Sequence, residues 1–547
     1  MLKVNIEQQL KVIINEFSVS KGLNEDILFT VEIPPKNINA DLALNAAMII
    51  AKKIKTNPRI IAKELIDIIT IKLALVIKTA EIAGAGFINL YFTDTFLQKE
   101  LERILEEKDH YAKQENFNKE KIMVEFVSAN PTGPLHIGHG RGAAIGDSLA
   151  RILKHLGYNV VKEYYLNDVG NQMNILGQST ETRYKQLKGE NIPFLENGYQ
   201  GDYIKDIAKD LINEGKNAEE INFKEESHKR ILETIKKDLN LFAVSFDSWF
   251  SESKIAEEKD VNGKTEVDKV CDYLQSKNYA YQKDDALWLS STNYGDDKDR
   301  VLKRSDGRYT YLASDVAYHK NKYERGFTKV INLWGADHHG YVARINAAIQ
   351  MLGQKKGALK VILYQLVSLV RNGEPVAMST RSGEFIPLQE VLAEVGSDAC
   401  RFFFLLRAPD SQLEFDLELA KKQSSENPVF YVQYVNARCH SIFKDYKEDN
   451  NIPLDFNLLN SKEERDLIKK LISFEDVLLI CDKTMSPHHL TTYLTETADI
   501  YHRFYEKCRV LGNEDKLTKA RIELLKAVSI IITKGLDLLG VSSPEKM

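Results

Sequence analysis

The sequence predicts an α/β protein in which a parallel-sheet core lies between a small α+β domain and an all-helical domain. A strand, a loop, a helix and a second strand follow one another between residues 121 and 161, and strand-like runs return at 329–334 and 360–366. Strand signals almost disappear after about residue 425. A helical crossover between consecutive strands implies that these strands are parallel. With 547 residues, 43% of them hydrophobic, the chain is too long for one core and too apolar to be disordered.

The first domain is predicted to cover residues 1–110. Apolar residues recur at helical spacing from Leu2 to Phe17, and residues 84–92 have strand character at and after two glycines. Charged residues inside the first helix argue against a signal peptide, and no uncharged run approaches the roughly 20 residues that span a bilayer. We therefore expect a cytoplasmic protein that has no membrane partner.

The central domain is predicted to cover residues 111–410. Its first strand-like run, residues 122–127, is followed by a loop rich in helix breakers and by a helix from His136 that Gly157 can end. Residues from 176 to about 300 are polar and rich in helical patterns. We interpret them as an insertion on the sheet and not as part of its core.

The last domain, residues 411–547, is predicted to be a helical bundle. Helical periodicity covers four stretches: 429–443, 463–481, 489–508 and 519–539. Basic and acidic residues balance from residue 421 onward, so no basic stripe indicates RNA binding. Tyr431, Tyr434 and Phe504 are either core residues or platforms on which unpaired bases stack.

Composition restricts the classes of partner and of structural metal site. The formal net charge of −5 means that a nucleic acid would have to bind a local basic surface. The five cysteines are far apart in the sequence, so they predict neither a disulfide framework nor a structural zinc site: Cys271, Cys400, Cys439, Cys481 and Cys508.

The most informative segment is residues 125–142. It places His136 and His139 around Gly138 at the start of a helix that follows a strand. A helix N-terminus offers unpaired N–H groups and positive potential, Gly138 lets a ligand approach the backbone, and the imidazoles add donors for phosphate oxygens. The segment therefore predicts a phosphate site without a P-loop, although both histidines could instead only cap or pack.

A second motif, residues 375–383, lies on a glycine-flanked loop after a later strand. Together the two motifs resemble the signatures of class I aminoacyl-tRNA synthetases. His136-Ile-Gly-His139 matches the first signature, and Met378-Ser379-Thr380-Arg381 is a degenerate form of the second, Lys-Met-Ser-Lys-Arg. Three longer stretches are similar to arginyl-tRNA synthetases: 129–141, 334–340 and 535–541. Residues 398–401, Asp-Ala-Cys-Arg, are similar to a signature of the synthetases that share the last domain.

The resemblance covers essentially the whole chain. It implies a Rossmann-type catalytic domain with a connective insertion, an N-terminal domain that contacts tRNA, and a C-terminal bundle that binds the anticodon. The implied activity is that of an arginine–tRNA ligase, which uses ATP with Mg²⁺ to activate L-arginine and transfers it to the 3′ end of tRNA(Arg). The family further implies that activation requires bound tRNA. We expect a monomer.

The resemblance also assigns site residues by their positions in the motifs. The implied catalytic residues are His136, His139, Met378, Ser379 and Arg381. The implied ATP-binding residues are His136, Gly138, His139, Arg141 and Met378. The implied arginine-binding residues are Glu125, Asn130, Tyr311, Asp315 and His339. No residue is assigned to a resident metal.

Physical chemistry supports part of this set. The guanidinium group is planar and always charged, so a selective pocket needs carboxylates and planar acceptors. Tyr311 and Asp315 are four residues apart and would share one face of a helix. Two alternatives stay open at this point. Asp315 could instead be a solvated helix acid, and Arg141 could bridge to a carboxylate instead of holding phosphate.

One departure from the family concerns positive charge. Ala377 and Thr380 stand where the second signature has lysines, and Gly133 and Pro134 occupy the region of the family's alternative lysine. Four side chains could compensate, or could equally be surface charges: Arg381, Arg371, Lys303 and Arg304.

Two other functions are therefore considered. The first is a tRNA- or nucleotide-binding protein that has lost catalysis through the altered loop. The second is a synthetase for cysteine or methionine with the same type of bundle. The second is weaker, because the metal-ligand cysteines of the cysteine enzyme are missing.

Overall fold

The computed structural model of the chain describes residues 2–34, 38, 40–114, 117, 120–376 and 386–547. Within these ranges, none of the helices is long and apolar enough to cross a membrane.

The N-terminal domain is an antiparallel sheet covered by helices. Its elements are α1 (Leu2–Ser20), β1 (Val31–Glu32), β2 (Leu42–Leu44), α2 (Ala46–Ile54), α3 (Pro58–Lys72), β3 (Ile77–Ala83), β4 (Phe87–Phe92) and α4 (Asp94–Glu107). The strand order is β1-β2-β4-β3. Helix α3 begins at Pro58, because the side chain of Asn57 accepts a hydrogen bond from Arg59 N at 2.9 Å and proline fits the first helical turn.

The central domain is built on a parallel sheet with the strand order β12-β11-β5-β6-β7. Its first elements are β5 (Lys121–Glu125), α5 (Ile137–Leu156), β6 (Asn159–Leu166), α6 (Asn171–Leu187), α7 (Asp202–Asn213), α8 (Phe223–Leu241), β7 (Ser248–Ser251), α9 (Ser253–Ala256) and α10 (Glu266–Ser276). The next are β8 (Ala280–Lys283), β9 (Ala286–Leu289), β10 (Arg300–Lys303), α11 (Tyr311–Glu324), β11 (Lys329–Gly335), α12 (Val342–Met351) and β12 (Leu359–Tyr364). After β5 the chain adds strands first on one side and then on the other. This reversal opens a crevice at the carboxyl ends of β5 and β11, where ligands of such sheets bind.

The predicted insertion at 176–300 differs from the structure in one respect. Strand β7 lies inside this range and pairs in parallel with β6, so it belongs to the core sheet. Strands β8 to β10 form a separate antiparallel sheet. Polar composition alone concealed β7, because a four-residue edge strand leaves little periodicity to detect.

Helix α5 lies close to the sheet because it carries glycines on its buried face. A Cβ atom on Gly146 would lie 2.6 Å from Phe126 Cβ, and one on Gly142 would lie 2.8 Å from Tyr364 Cζ. Real side chains do not approach so closely, so these positions require glycine at this helix–sheet distance. The start of α5 is thereby held at the sheet edge.

The chain between the sheet and the bundle contains β13 (Val367–Arg371), β14 (Glu374–Pro375), α13 (Leu388–Val395), α14 (Ser397–Phe404), β15 (Leu413–Asp416) and α15 (Leu417–Lys421). Strand β15 pairs in parallel with β13. The predicted all-helical segment that begins at 411 therefore starts with a strand.

The bundle consists of α16 (Pro428–Asp445), α17 (Lys462–Ile472), α18 (Phe474–Thr484), α19 (His488–Lys507) and α20 (Asp515–Leu539). The single helix expected at 463–481 is two helices that meet at Ser473. Phe504 is fully buried and belongs to the core, whereas Tyr434 is 38% exposed. Of these two aromatic candidates for base stacking, only Tyr434 is available at the surface.

A buried ion pair joins the bundle to α5. Arg401 is fully buried, and its guanidinium donates to Asp147 at 2.7 Å and to the carbonyl oxygen of Leu539 at 2.7 Å. Asp147 lies on α5, Arg401 on α14 and Leu539 at the end of α20. Arg401 therefore links the helix that begins at the two histidines to the last helix of the chain.

Candidate active site

A cavity of about 860 Å³ opens at the carboxyl ends of β5, β6, β11 and β12. It brings together residues that are more than 200 positions apart in the sequence. The cavity is lined by three residues of the first signature: His136, Gly138 and His139. Four of the five predicted arginine-binding residues also line it: Glu125, Asn130, Tyr311 and Asp315. The remaining polar and aromatic lining residues include Tyr165, Asn332, Trp334, His338 and Tyr341.

The two histidines cap the start of α5 reciprocally. Nδ1 of His136 accepts hydrogen bonds from the backbone N–H of Gly138 at 3.1 Å and of His139 at 3.4 Å. Nδ1 of His139 accepts from the N–H of His136 at 3.3 Å. The rings stack with their centroids 3.6 Å apart. Because Nδ1 is an acceptor in both rings, the proton of each neutral imidazole resides on Nε2.

Burial keeps both imidazoles neutral. It lowers the pKa of His136, and burial together with the neighbouring His136 lowers the pKa of His139 to about 3. Their Nε2–H groups are therefore neutral donors at physiological pH. Such donors stabilise charge that develops on phosphate oxygens.

The expected role of Gly138 needs a correction. Its N–H and that of His139 bond to His136, so they are not the unpaired helix-terminal donors that the sequence suggested. A Cβ atom at Gly138 would lie 2.9 Å from His136 Cε1. The glycine thus gives the first imidazole room to fold over the helix start, and the imidazoles take the place of backbone donors.

Glu125 is the last residue of β5 and points into the cavity. Ser128 Oγ donates to Glu125 Oε1 at 3.2 Å, and the backbone N–H of Tyr165 donates to Ser128 Oγ at 3.2 Å. Val127 and Ser128 have positive φ angles of 66° and 41°, which side chains of these types rarely adopt. Such strain persists where the surroundings fix it, and it is typical of functional sites.

Asp315, on α11, also lines the cavity. It and Tyr311 project from the same face of α11, as their spacing predicted, and Tyr311 is 77% exposed at the cavity mouth. The hydroxyl of Tyr341 donates to Asp315. Burial raises the pKa of Asp315 to about 6, although the hydrogen bond from Tyr341 opposes the rise. Asp315 is therefore a desolvated carboxylate and not a solvated helix acid.

Glu252 is a functional candidate that the sequence did not reveal. It follows β7 directly and is 6% exposed. It is hydrogen-bonded to Tyr165, which lines the cavity. Burial and the nearby charge of Asp315 raise the pKa of Glu252 to about 7. An acid at the carboxyl end of a parallel strand is a recognisable signal, but β7 itself was missed.

The structure contradicts the assignment of Arg141 to ATP. Its side chain is fully buried beneath α5 and does not line the cavity. The guanidinium donates to the backbone carbonyl oxygens of Gln365 at 2.8 Å and Ala408 at 3.0 Å. Arg141 therefore ties α5 to two loops, and neither alternative considered for it, a phosphate or a carboxylate partner, describes its contacts.

His339, which was expected to bind arginine, does not line the cavity. It lies in a separate surface pocket with Arg300 and Arg344, on the far side of the turn after β11. The preceding residue, His338, lines the cavity. The shift by one position arises because residues 336–341 form a 3₁₀ turn, whose side chains rotate by about 120° per residue.

Met378, Ser379, Arg381 and their neighbours between 377 and 385 lie outside the described residues. Their catalytic and ATP-binding roles stay predictions. Among the residues that the structure describes, the cavity lining contains no lysine or arginine.

The other cations suggested as replacements lie elsewhere or are engaged. Arg371 pairs with Glu394 and Glu418. Lys303 lies over the ring of Tyr309 at the small antiparallel sheet. Neither lines the cavity, and Arg304 does not line it either.

Comparison with known families matches almost the whole chain. Residues 2–92 match the arginyl-tRNA synthetase N-terminal domain, and residues 100–403 match the catalytic domain of class I (R) tRNA synthetases. Residues 432–547 match the DALR anticodon-binding domain. The chain belongs to the arginyl-tRNA synthetases.

Individual relatives agree with this family. An arginine–tRNA ligase from Geobacter sp. (strain M21) is 48% identical over 533 residues, which cover 94% of each chain. One from Citrifermentans bemidjiense is 47% identical with the same coverage. The solved Thermus thermophilus arginyl-tRNA synthetase is 22% identical and superposes with a TM-score of 0.77 over 99% of this chain and 100% of that one. These matches confirm the predicted fold class and the arginyl-tRNA synthetase resemblance, and they remove the cysteine and methionine alternatives.

Proposed function

We propose that the chain is an active arginine–tRNA ligase and that the cavity binds arginine and ATP side by side. The observation that carries this proposal is the convergence of Glu125 and Asp315 with the His136–His139 pair at one sheet edge. One side of the cavity is acidic and selects a cation, and the other offers neutral donors for phosphate.

Arginine binds through its two cationic groups. Asp315, with Tyr341 fixing its carboxylate, receives the guanidinium, and Glu252 adds negative potential from behind Tyr165. Glu125 receives the α-ammonium group. Desolvated carboxylates reject amino acids that lack matching donors far better than pocket volume does, because their acceptors would be left unpaired.

The first step is attack of the arginine carboxylate on the ATP α-phosphate, which expels pyrophosphate. This reaction needs in-line positioning and charge stabilisation more than a protein nucleophile. The Nε2–H groups of His136 and His139 supply neutral donors to the phosphates. ATP enters as its magnesium complex, since Mg²⁺ commonly binds through substrate phosphates. Of the four cations suggested for pyrophosphate, we propose Arg381, because the other three do not line the cavity.

The second step transfers the arginyl group to the terminal ribose of tRNA(Arg). We infer that the bundle binds the anticodon and that activation requires bound tRNA. The buried joint between Arg401 and Asp147 supports this coupling, because it connects the end of α20 to the catalytic helix α5. A monomeric state and a cytoplasmic location stay predictions.

Arginine-dependent exchange of pyrophosphate into ATP tests the proposal. We expect exchange with arginine and tRNA(Arg) present, and little exchange when the tRNA is omitted. Asp315→Asn should raise the arginine KM strongly or abolish exchange. Glu324→Gln, at the exposed end of the same helix, is the matched control and should behave as wild type.

The outcomes separate the candidate functions. Binding of tRNA without arginine-dependent exchange would identify a catalytically inactive tRNA-binding protein. Equal exchange with and without tRNA would refute only the tRNA requirement. A normal arginine KM in Asp315→Asn would remove this carboxylate from the pocket.

A further inference from the structure

Lys322 is a buried cation that does not reach the cavity. Its side chain is fully buried, and its ammonium group forms an ion pair with Glu125. It also donates to Asn332 Oδ1 at 3.1 Å and lies 4.2 Å from the ring centroid of Tyr318. Glu125 and Asn332 both line the cavity, and they are register partners on β5 and β11. Lys322 thus lies behind the wall that holds them.

A hydrogen-bonded chain continues from Lys322 to the other end of the amino-acid site. Nδ1 of His319 contacts the carbonyl oxygen of Asp315 at 2.8 Å, so Nδ1 must carry the proton. Burial lowers the pKa of His319 and keeps the ring neutral. Its Nε2 therefore accepts from Asn332 Nδ2 at 3.1 Å, which leaves Asn332 Oδ1 as the acceptor for Lys322. Every donor in the chain has a fixed direction.

The buried lysine compensates the charge of a carboxylate at the cavity wall. Glu125, Asp315 and Asp337 line the cavity, and Glu252 is hydrogen-bonded to Tyr165 beside it. Of these acids, Glu125 is the one that pairs with Lys322. Lys322 places a compensating positive charge directly against the carboxylate of Glu125. A buried carboxylate without a partner would take up a proton and lose its attraction for an ammonium group.

The contacts of Glu125 leave room for a substrate. Lys322 binds Oε2 and Ser128 binds Oε1, while an ionised carboxylate offers about four acceptor positions. We propose that Lys322 is a positioning residue for amino-acid selection, which pairs with Glu125 and aims its carboxylate so that it receives the α-ammonium group. The inference rests on the proposed function and adds a residue that does not touch the substrate.

Calorimetric titration of the full-length protein with two ligands tests this role. The ligands are L-arginine and 5-guanidinopentanoic acid, which is arginine without the α-amino group. Wild type should prefer arginine by roughly 10- to 150-fold, the usual range for a hydrogen bond to a charged group. Lys322→Met should reduce this preference by about tenfold or more, and it should change the affinity for the deamino compound by less than about threefold.

Matched variants exclude a general loss of structure. Lys320→Met removes a lysine from the outer face of the same helix and should keep the wild-type preference. Lys322→Arg retains the charge and should keep most of the wild-type preference for arginine. If Lys322→Met does not fold, Lys322→Gln replaces it in the test. Its side chain can still donate hydrogen bonds, so the preference for arginine should fall by a smaller factor.

Three results would overturn the inference. An unchanged or larger preference in folded Lys322→Met or Lys322→Gln would show that Glu125 acts without the lysine. Equal weakening of both ligands would indicate a merely structural role. Failure of wild type to bind arginine would refute the proposed function, and the inference with it.

Discussion

Arginine affinity should weaken as the pH falls from 8 to 6. Burial raises the pKa of Asp315 to about 6 and that of Glu252 to about 7, both above the ordinary range for carboxyl groups. The guanidinium group stays charged throughout and binds the ionised carboxylate. The free protein must therefore release protons before it binds arginine tightly, and this requirement grows at low pH.

The magnitude follows from these two values. At pH 8 both groups are almost fully ionised, whereas at pH 6 about half of Asp315 and roughly one tenth of Glu252 are ionised. If only Asp315 must ionise, the dissociation constant rises about twofold between these limits. If both must ionise independently, it rises roughly 20-fold. The corresponding proton release at pH 6 is about one half to one and a half protons per arginine.

Calorimetry at pH 6, 7 and 8 in buffers of different ionisation enthalpy measures both quantities. Glu252→Gln should limit the change in affinity to about twofold. Burial lowers the pKa of His136 and of His139, so this pair takes up fewer protons near pH 6 than ordinary histidines would. A dissociation constant that is independent of pH, or that falls toward pH 6, would refute the placement of these carboxylates at the guanidinium.

Three further predictions concern the catalytic helix. His139→Ala should lower the rate of arginine activation by about 10²-fold or more in pyrophosphate exchange, because it removes one donor to the phosphates. Gly146→Ala should cost about 1–3 kcal/mol in the free energy of unfolding measured with denaturant, because its Cβ would lie 2.6 Å from Phe126 Cβ. Asp147→Asn should cost about 3–5 kcal/mol in the same measurement, because it leaves the buried Arg401 without its carboxylate.

Each of these variants has a matched control. His489→Ala, in the bundle, should leave exchange unchanged. Gly340→Ala should be tolerated, because no atom lies within 4 Å of the added Cβ. Asp306→Asn breaks only an exposed pair with Arg308 and should cost about 0–1 kcal/mol. Wild-type exchange in His139→Ala, or unfolding free energies indistinguishable from these controls, would contradict the corresponding prediction.

The sequence predicted the fold where local patterns are strong. The strand and helix around His136 follow from glycine and proline punctuation and from an apolar stripe, and these features act locally. Strand β7 could not be predicted, because four residues at a sheet edge are stabilised by pairing with β6 and not by their own pattern. The boundary near residue 411 failed for the same reason, since β15 exists only by pairing with β13.

For the site, too, the sequence predicted what motif positions determine and missed what depends on tertiary packing. Motif positions placed Glu125 and Asp315 in the cavity, although they are 190 positions apart in the sequence. They could not predict that Arg141 turns under its helix toward backbone carbonyls, because this depends on the loops that cross beneath α5. Lys322 was also invisible, since a lysine near the end of a polar helix normally faces solvent.

The electrostatics of the cavity explain why the altered second signature matters. The described wall carries carboxyl groups and neutral imidazoles, without a lysine or arginine among its lining residues. On the proposed function, the Mg²⁺ that enters with ATP and Arg381 balance the charge on the departing pyrophosphate. Neutral donors orient phosphate, but they balance less charge than a cation does. Arg381→Ala should consequently lower the activation rate more than His139→Ala does, and pyrophosphate exchange that is reduced less than in His139→Ala would show that another cation reaches the site.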